Sequence, residues 1–384
     1  PIFIMHPLAQ KDMIRSIGLM TGTSMDGLDI SVVDIVSHQY KLSPQNIISD
    51  TIPFPAQLRK SICETVSGGE ELYAKLDEDL GKWMAEVVSS FVDENNITGI
   101  DLIGSHGQTV HHENGVKSVQ LGNPEYLHRA LGVPVIYDFR TADIGAGGTG
   151  APLIPKVDEW LFQKAESAVI ALNIGGIANV SLVPPKNKGE IVGFDTGPGM
   201  ALLDEVYRSH FIEGFDGSGK AASQGMIDMA LVNAWMEDAY FKMAPPKSTG
   251  RDYFGPSWVT AHNEELNNIS FEDRLASLSL FTAKTIHESC KSFLEREDVS
   301  ELIMGGGGSH HGQIFFHLER LFQAVQVKRS DEYGVSIDEK EAVGFSLLAV
   351  ANIKEIPGNI PSVTGAKEAV VLGEIYPAEQ SIEA

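Results

Sequence analysis

The segment Gly22-Thr23-Ser24-Met25-Asp26-Gly27-Leu28-Asp29 crowds glycines, hydroxyls and carboxylates into one turn. Glycine backbone and hydroxyls suit phosphate oxygens, and a carboxylate beside them, Asp26, suits Mg2+ directly or through water. A plain turn in which Asp26 bonds its own backbone would carry the same letters. The Walker A pattern Gly-x-x-x-x-Gly-Lys-Ser/Thr is absent. A second turn, Asn173-Ile174-Gly175-Gly176, also lies between two apolar runs. Two strand–turn–strand units, one in each half of the chain, suit a polyphosphate. Two ordinary hairpins are the alternative.

Asp195, in Gly193-Phe194-Asp195-Thr196-Gly197-Pro198-Gly199, stands at the end of a strand before a rigid turn. That makes it a candidate general base, or else a turn or N-capping aspartate. The run Gly305-Gly306-Gly307 follows an apolar strand over 301–304 and gives a flat base or ribose a surface without Cβ atoms; a flexible loop reads the same. Ser105-His106-Gly107-Gln108-Thr109-Val110-His111-His112 supplies hydrogen-bonding groups for sugar hydroxyls, with Gln120, Asn123 and the loop from Asp138 to Asp143 adding more. Zinc is the alternative, but His106 and His111 are not spaced i, i+4 and no cysteine cluster assists. Arg140 suits a bidentate substrate carboxylate, or an internal salt bridge to Asp138 or Asp143. Lys247 and Arg251 lie in a basic turn that either reaches a nucleotide or is solvated. Glu341 opens an apolar helix, pointing into a site or capping the first turn.

Behind these loops stand alternating elements. Three-to-four spacing of apolar residues predicts helices over 58–66, 70–92, 125–131, 157–162, 200–209, 226–241, 271–295, 313–322 and 339–354. Strands are expected over 100–105, 133–138, 301–304 and 325–327 besides the two hairpins. The order implies α/β domains with partly parallel sheets. The chain has 384 residues, so two domains are expected. The boundary is placed near 130–145: one lobe over 1–138 rejoined by the tail 356–384, the other over 139–355. A hydrophobic share of 43% is that of a globular protein, and a formal charge of −23 argues against nucleic acid or an anionic membrane as partner. Cys63 and Cys290 are the only cysteines, which fits a reducing compartment. The first residues lack the basic region and apolar run of a signal peptide and read as a frayed extension. No apolar stretch is long enough to span a membrane.

Taken together, Gly22 to Asp29, Gly104 to Thr109, Asp138-Phe139-Arg140, Gly147-Gly148-Thr149-Gly150-Ala151-Pro152-Leu153, Asn173 to Gly176 and Phe194 to Gly199 resemble the signatures of the anhydro-N-acetylmuramic acid kinase family. Lys247-Ser248-Thr249-Gly250-Arg251, Asp331-Glu332-Tyr333-Gly334 and Val363-Thr364-Gly365-Ala366 extend the resemblance, which covers about 14 to 376. It implies an actin/hexokinase-like (ribonuclease H-like) fold of two α/β lobes with a central cleft, ATP and Mg2+ as cofactors, a homodimer, and cytoplasmic recycling of bacterial murein. It implies Asp195 as the base activating water, with Glu341 as supporting carboxylate. Gly22 to Asp29, Asn173, Gly175 and Gly176 then hold phosphates, with Asp26 on Mg2+, and Gly305 to Gly307 the adenosine side. Ser105, His106, Gln108, Gln120, Asn123, Arg140 and Asp143 then face the sugar. An ordinary sugar kinase of the same superfamily and a non-catalytic actin-like nucleotide-binding protein are the alternatives.

Overall fold

The computed structural model describes residues 6–22, 25–38, 41–211 and 214–378. The chain divides into two compact units, one of residues 1–161 with 339–384 and one of 162–338. The strands in chain order are β1 (Met13–Met20), β2 (Gly27–His38), β3 (Lys41–Pro53), β4 (Leu102–Ser105), β5 (Gln108–Glu113), β6 (Lys117–Leu121), β7 (Val135–Tyr137), β8 (Ala168–Ile174), β9 (Ile177–Val183), β10 (Val192–Pro198), β11 (Val299–Gly305), β12 (Gln326–Arg329) and β13 (Glu374–Tyr376).

In the first unit the sheet runs β3-β2-β1-β4-β7-β13. Among the first three strands each is antiparallel to its neighbour, and β4 and β7 continue parallel to β1. The second unit repeats this order as β10-β9-β8-β11-β12, with the same senses. One topology used twice is the duplicated arrangement expected of an actin/hexokinase-like chain.

The first sheet is covered on both faces. Ile17, Leu19, Leu28 and Ile103 pack with Leu80, Met84 and Val88 of the helix Tyr73–Glu94. Alternation along the strand turns Gly18 and Gly104, register partners, to the other face. There the helix Lys340–Ile353 lies against bare backbone: a Cβ on Gly18 would stand 1.8 Å from the Ala342 carbonyl oxygen, and one on Gly104 2.3 Å from that of Phe345. This helix is buried almost all round, as its largely apolar sequence requires. A buried ion pair, Lys340 Nζ to Asp158 Oδ1 at 2.9 Å, ties its first turn to the helix Ile154–Phe162. The second unit's core gathers Leu172, Phe194, Leu202, Phe281 and Met304.

Several expectations change. The boundary falls at 161/162 rather than 138/139, and the chain returns at 339 rather than 356, because the helix Lys340–Ile353 packs on β1, β2 and β4. The segment 226–241 is not one helix but Met229–Trp235 and a 3-10 turn Ala239–Lys242, since Asp228 and Asp238 each cap a new start. The segment after Ser105 is a hairpin, β5 with β6, rather than a loop. Among the described residues no helix is long and apolar enough to cross a membrane.

Candidate active site

In the second unit Asp195 lies within β10, not at its end. A bulge follows it at once: Asp195 pairs with Asn179 and Gly197 with Ala178, leaving Thr196 extra. Such an irregularity re-aims a side chain. Gly197 takes φ 141, and a Cβ there would meet Phe241 at 2.8 Å. The backbone of Asp195 is pinned on both sides: its N–H donates to Lys247 O at 3.1 Å, and its carbonyl accepts from the Tyr240 hydroxyl at 2.7 Å. Both bonds to its carboxylate fall on one oxygen: Oδ2 accepts from Ser248 Oγ (2.8 Å) and Thr249 N (3.0 Å). Oδ1 has no protein donor among the described residues. Burial pushes the carboxyl pKa up, and the Thr249 and Ser248 bonds only partly restrain it. A fixed, desolvated carboxylate with one open oxygen is equipped to take a proton.

Register places more beside it. Asp195 pairs with Asn179, Asn179 with Asn173, and Asn173 with Gly305, so one row crosses β10, β9, β8 and β11. Row partners share a face, with neighbouring strands about 4.8 Å apart. The diglycine turn is joined to the helix Ala201–His210: the Gly175 carbonyl accepts from Met200 N, and the Gly176 carbonyl from Gly199 N and Ala201 N. Gly175 N donates to Ile177 O at 3.2 Å, so that donor is committed. A Cβ on Gly176 would stand 2.5 Å from Arg251 Nε, so the guanidinium lies against the turn. Arg251 is half exposed and its nearest carboxylate oxygen, on Asp204, is 3.9 Å away. Lys247 is buried and donates to Tyr240 O, which removes it from any nucleotide. Gly306, at φ 80, adopts the close approach only glycine allows: a Cβ would meet Asn173 Oδ1 at 2.5 Å.

In the first unit Thr23 and Ser24 lie outside the described residues. Met25 closes the turn in the left-handed region, φ 52, donating to Gly22 O at 3.2 Å. Gly27, Leu28 and Asp29 belong to β2 rather than the turn, and the Leu28 side chain is core, which removes it from phosphate contact. Asp29 Oδ1 accepts from Thr51 Oγ1 at 2.7 Å. Burial, then the charges of Glu341, Glu339 and Asp26, push its pKa up to about 7. Glu341, in the first turn of the helix Lys340–Ile353, is likewise pushed up by desolvation, with Lys340 and Arg140 pulling it back. This surplus of negative charge fits a divalent cation. No three His, Cys, Asp or Glu side chains among the described residues converge on one point. A Mg2+ ion here would therefore use a carboxylate such as Asp26, with phosphate oxygens and water completing its shell.

The sugar-side candidates separate. Ser105 Oγ and Gln108 Oε1 are buried with no hydrogen-bond partner among the described residues. Buried polar atoms are normally satisfied, so this pair is suited to a ligand. Arg140 makes its hydrogen bonds to His106 Nε2 and Gly150 O. Gln120 bonds Thr109 and Ser118 but stays partly exposed. Asn123 Oδ1 caps a helix, accepting from Glu125 N ahead of the helix Pro124–Leu131, which leaves only its amide nitrogen for a sugar. One assignment is corrected. Asp143 is fully buried, and Gly150 N, Asn359 and Thr364 occupy its two oxygens. It holds the 147–150 loop and has no oxygen for a sugar.

A family model described as anhydro-N-acetylmuramic acid kinase matches residues 14–378. The chain belongs to this family. The anhydro-N-acetylmuramic acid kinase of Crocosphaera subtropica is 36% identical over 94% of this chain and 98% of its own. That of Pasteurella multocida is 34% identical over 96% and 98%. A solved activator of the 2-hydroxyisocaproyl-CoA dehydratase from Clostridium difficile, with bound ADPNP, is similar at TM-score 0.43 and 13% identity, covering 89% of this chain and 96% of that one.

Membership makes the chain a kinase that uses ATP. Of the residues read from the sequence for such a kinase, the second unit brings Asp195, Asn173, Gly175, Gly176, Gly305 and Gly306 to one end of its sheet. Gly307 has open space around its Cβ position. In the first unit the charge of Glu341 acts on Asp29, and His106 bonds Arg140. Asn179 and Arg251 join the kinase's candidate residues from the structure. The sequence carried a signal for Arg251, the basic turn, but none for Asn179.

Proposed function

We propose that this kinase opens the internal acetal of 1,6-anhydro-N-acetylmuramic acid. Water adds at C1, the C1–O6 bond breaks, and O6 takes the γ-phosphoryl group of ATP, giving N-acetylmuramic acid 6-phosphate and ADP. The observation that carries the reading is a single open carboxylate oxygen, Asp195 Oδ1, on a rigidly held and desolvated side chain. An ordinary glycosidase needs a second carboxyl group to protonate the leaving oxygen. Here the phosphoryl group captures that oxygen, so one base is sufficient. Asp195 removes the proton from the attacking water, and Glu341 is the supporting carboxylate.

The Gly175-Gly176 turn with Arg251 and the Gly22–Asp26 turn bind phosphate oxygens. A Mg2+ ion held by Asp26 would offset charge on the phosphates. Gly305 to Gly307 take the adenosine side. Ser105, Gln108 and Gln120 bond sugar hydroxyls, and Arg140 takes the lactyl carboxylate. Murein recycling in the cytoplasm and a homodimer follow from the family resemblance; sedimentation measures the second.

The test is turnover with Mg-ATP in 18O-labelled water, quenched early, before the free anomeric centre exchanges. A 6-phosphorylated sugar carrying one solvent oxygen at C1 is expected. A sugar phosphate with no solvent oxygen would mean direct phosphorylation of a free hydroxyl and would overturn the reading.

A further inference from the structure

We propose that His106 is a positioning residue rather than a sugar ligand: it holds the Arg140 guanidinium in the orientation that receives the substrate carboxylate. The proposal rests on the reading of Arg140 given above.

The hydrogen bonds fix the state of the ring. His106 Nδ1 is 2.8 Å from the Gly107 carbonyl oxygen, which can only accept, so Nδ1 carries the proton. His106 Nε2 faces Arg140 Nε at 3.3 Å and Nη2 at 3.0 Å, which can only donate, so Nε2 is bare. The ring is therefore neutral and both nitrogens are committed. Burial and then the Arg140 charge push its pKa down to about 3, so it stays neutral across the working range. The ring is 3% exposed and packs on Phe345 at a centroid distance of 4.6 Å, which leaves no face for a sugar. The Gly107 carbonyl is itself fixed by Thr21 Oγ1 at 2.9 Å. Gly107 takes φ 69, and a Cβ there would stand 2.5 Å from Leu121 O, so the peptide has one place to be.

Arg140 is held from the other side by Gly150 O, at 3.3 Å from Nη1. These bonds leave one N–H on each terminal nitrogen, a fork that matches a carboxylate. Among the described residues no carboxylate comes within ion-pair distance of Arg140, although the charges of Glu341 and then Asp138 act on it; Asp138 Oδ1 accepts from Thr141 N, and Asp143 serves Gly150, Asn359 and Thr364. The choice of histidine has a physical reason. A carboxylate at 106 would orient the guanidinium equally well but would neutralise it and compete with the substrate. A neutral acceptor fixes the direction and leaves the charge available.

The test compares 1,6-anhydro-N-acetylmuramic acid with its lactyl carboxamide, the same sugar without the charge. In the wild type kcat/KM for the acid is expected to exceed that for the amide by roughly 10- to 100-fold, the range of a charge-assisted pair. His106→Leu should lower kcat/KM for the acid by about that factor, through KM, and leave the amide within about threefold, so the preference collapses. His106→Gln, a neutral acceptor of similar reach, should keep most of it. Should the leucine variant not fold, His106→Asn gives the same readout with an acceptor too short to reach Arg140. An unchanged preference in the leucine or asparagine variant, or an equal loss for both substrates, overturns the role of His106. A wild type that turns over both substrates without preference overturns the role of Arg140 and this proposal with it. A wild type that turns over neither speaks against the proposed reaction itself.

Discussion

Replacing Asp195 by asparagine separates chemistry from architecture at one side chain. The two donors, Ser248 Oγ and Thr249 N, both point at Oδ2. In the variant the amide oxygen must occupy that position, which places the NH2 group where Oδ1 stood. The fold keeps its bonds, and the only basic oxygen is exchanged for a donor. The loss should then be the whole of a general base's contribution, roughly 10²- to 10⁴-fold in kcat, or about 3–5 kcal/mol of barrier. Stability should move the other way. Burial raises the Asp195 pKa, so the group favours folding most below its unfolded pKa, and that contribution is lost as pH climbs through the raised value. Near pH 7.5 the wild type bears the desolvation of a carboxylate that asparagine does not have. The expected outcome is a Tm equal to or above that of the wild type, with initial rates of ADP release at saturating sugar and ATP at least 100-fold lower. A kcat within tenfold of the wild type, or a Tm several degrees lower, would refute the reasoning.

Three further outcomes test the two units. Gly18→Ala drives a methyl group to 1.8 Å from the Ala342 carbonyl oxygen, so the helix carrying Glu341 must shift; a loss of about 1–3 kcal/mol or more in urea unfolding is expected, with a fall in kcat. Gly307→Ala, with nothing within 4 Å of the new Cβ, should leave Tm nearly unchanged. Because the Asp29 pKa is raised to about 7, the wild type should lose stability as pH rises from about 4 through 7, and Asp29→Asn should flatten that slope in chelator-treated buffer. An unchanged slope would mean that burial and the neighbouring carboxylates do not raise the Asp29 pKa as described.

The chemistry-bearing loops were legible because their residue types are unusual in runs: glycine with hydroxyls, histidine with glutamine, aspartate before Gly-Pro-Gly. Their partners were not, because these are long-range. Arg251 is visible as a basic residue, but its contact with Gly176 depends on the path of the 74 intervening positions. Asn179 looks like any polar residue in a half-buried strand, and only the joint register of β8, β9 and β10 aligns it with Asp195. Asp143 misled in the opposite direction, since a carboxylate in a polar loop gives no sign that Asn359 and Thr364 will reach it. β3 escaped reading because its exposed sequence is polar and contains Pro44, both tolerated at a sheet edge. The helix over 226–241 failed where two aspartates made better caps than interior residues.

The return of the chain at residue 339 sets an order of events during synthesis. The second unit is continuous, 162–338, and every strand of its sheet has been made once Arg329 is joined. The first unit is begun earlier and finished later. Until residue 353 emerges, the groove at Gly18 and Gly104 has no helix to cover it, and Asp158 lacks Lys340. At roughly 5–20 residues per second the nascent first unit waits on the order of ten seconds or more with one sheet face bare. The unit begun second can therefore be completed first, and the bare face around Gly18 is the surface a chaperone would need to shield in the interval.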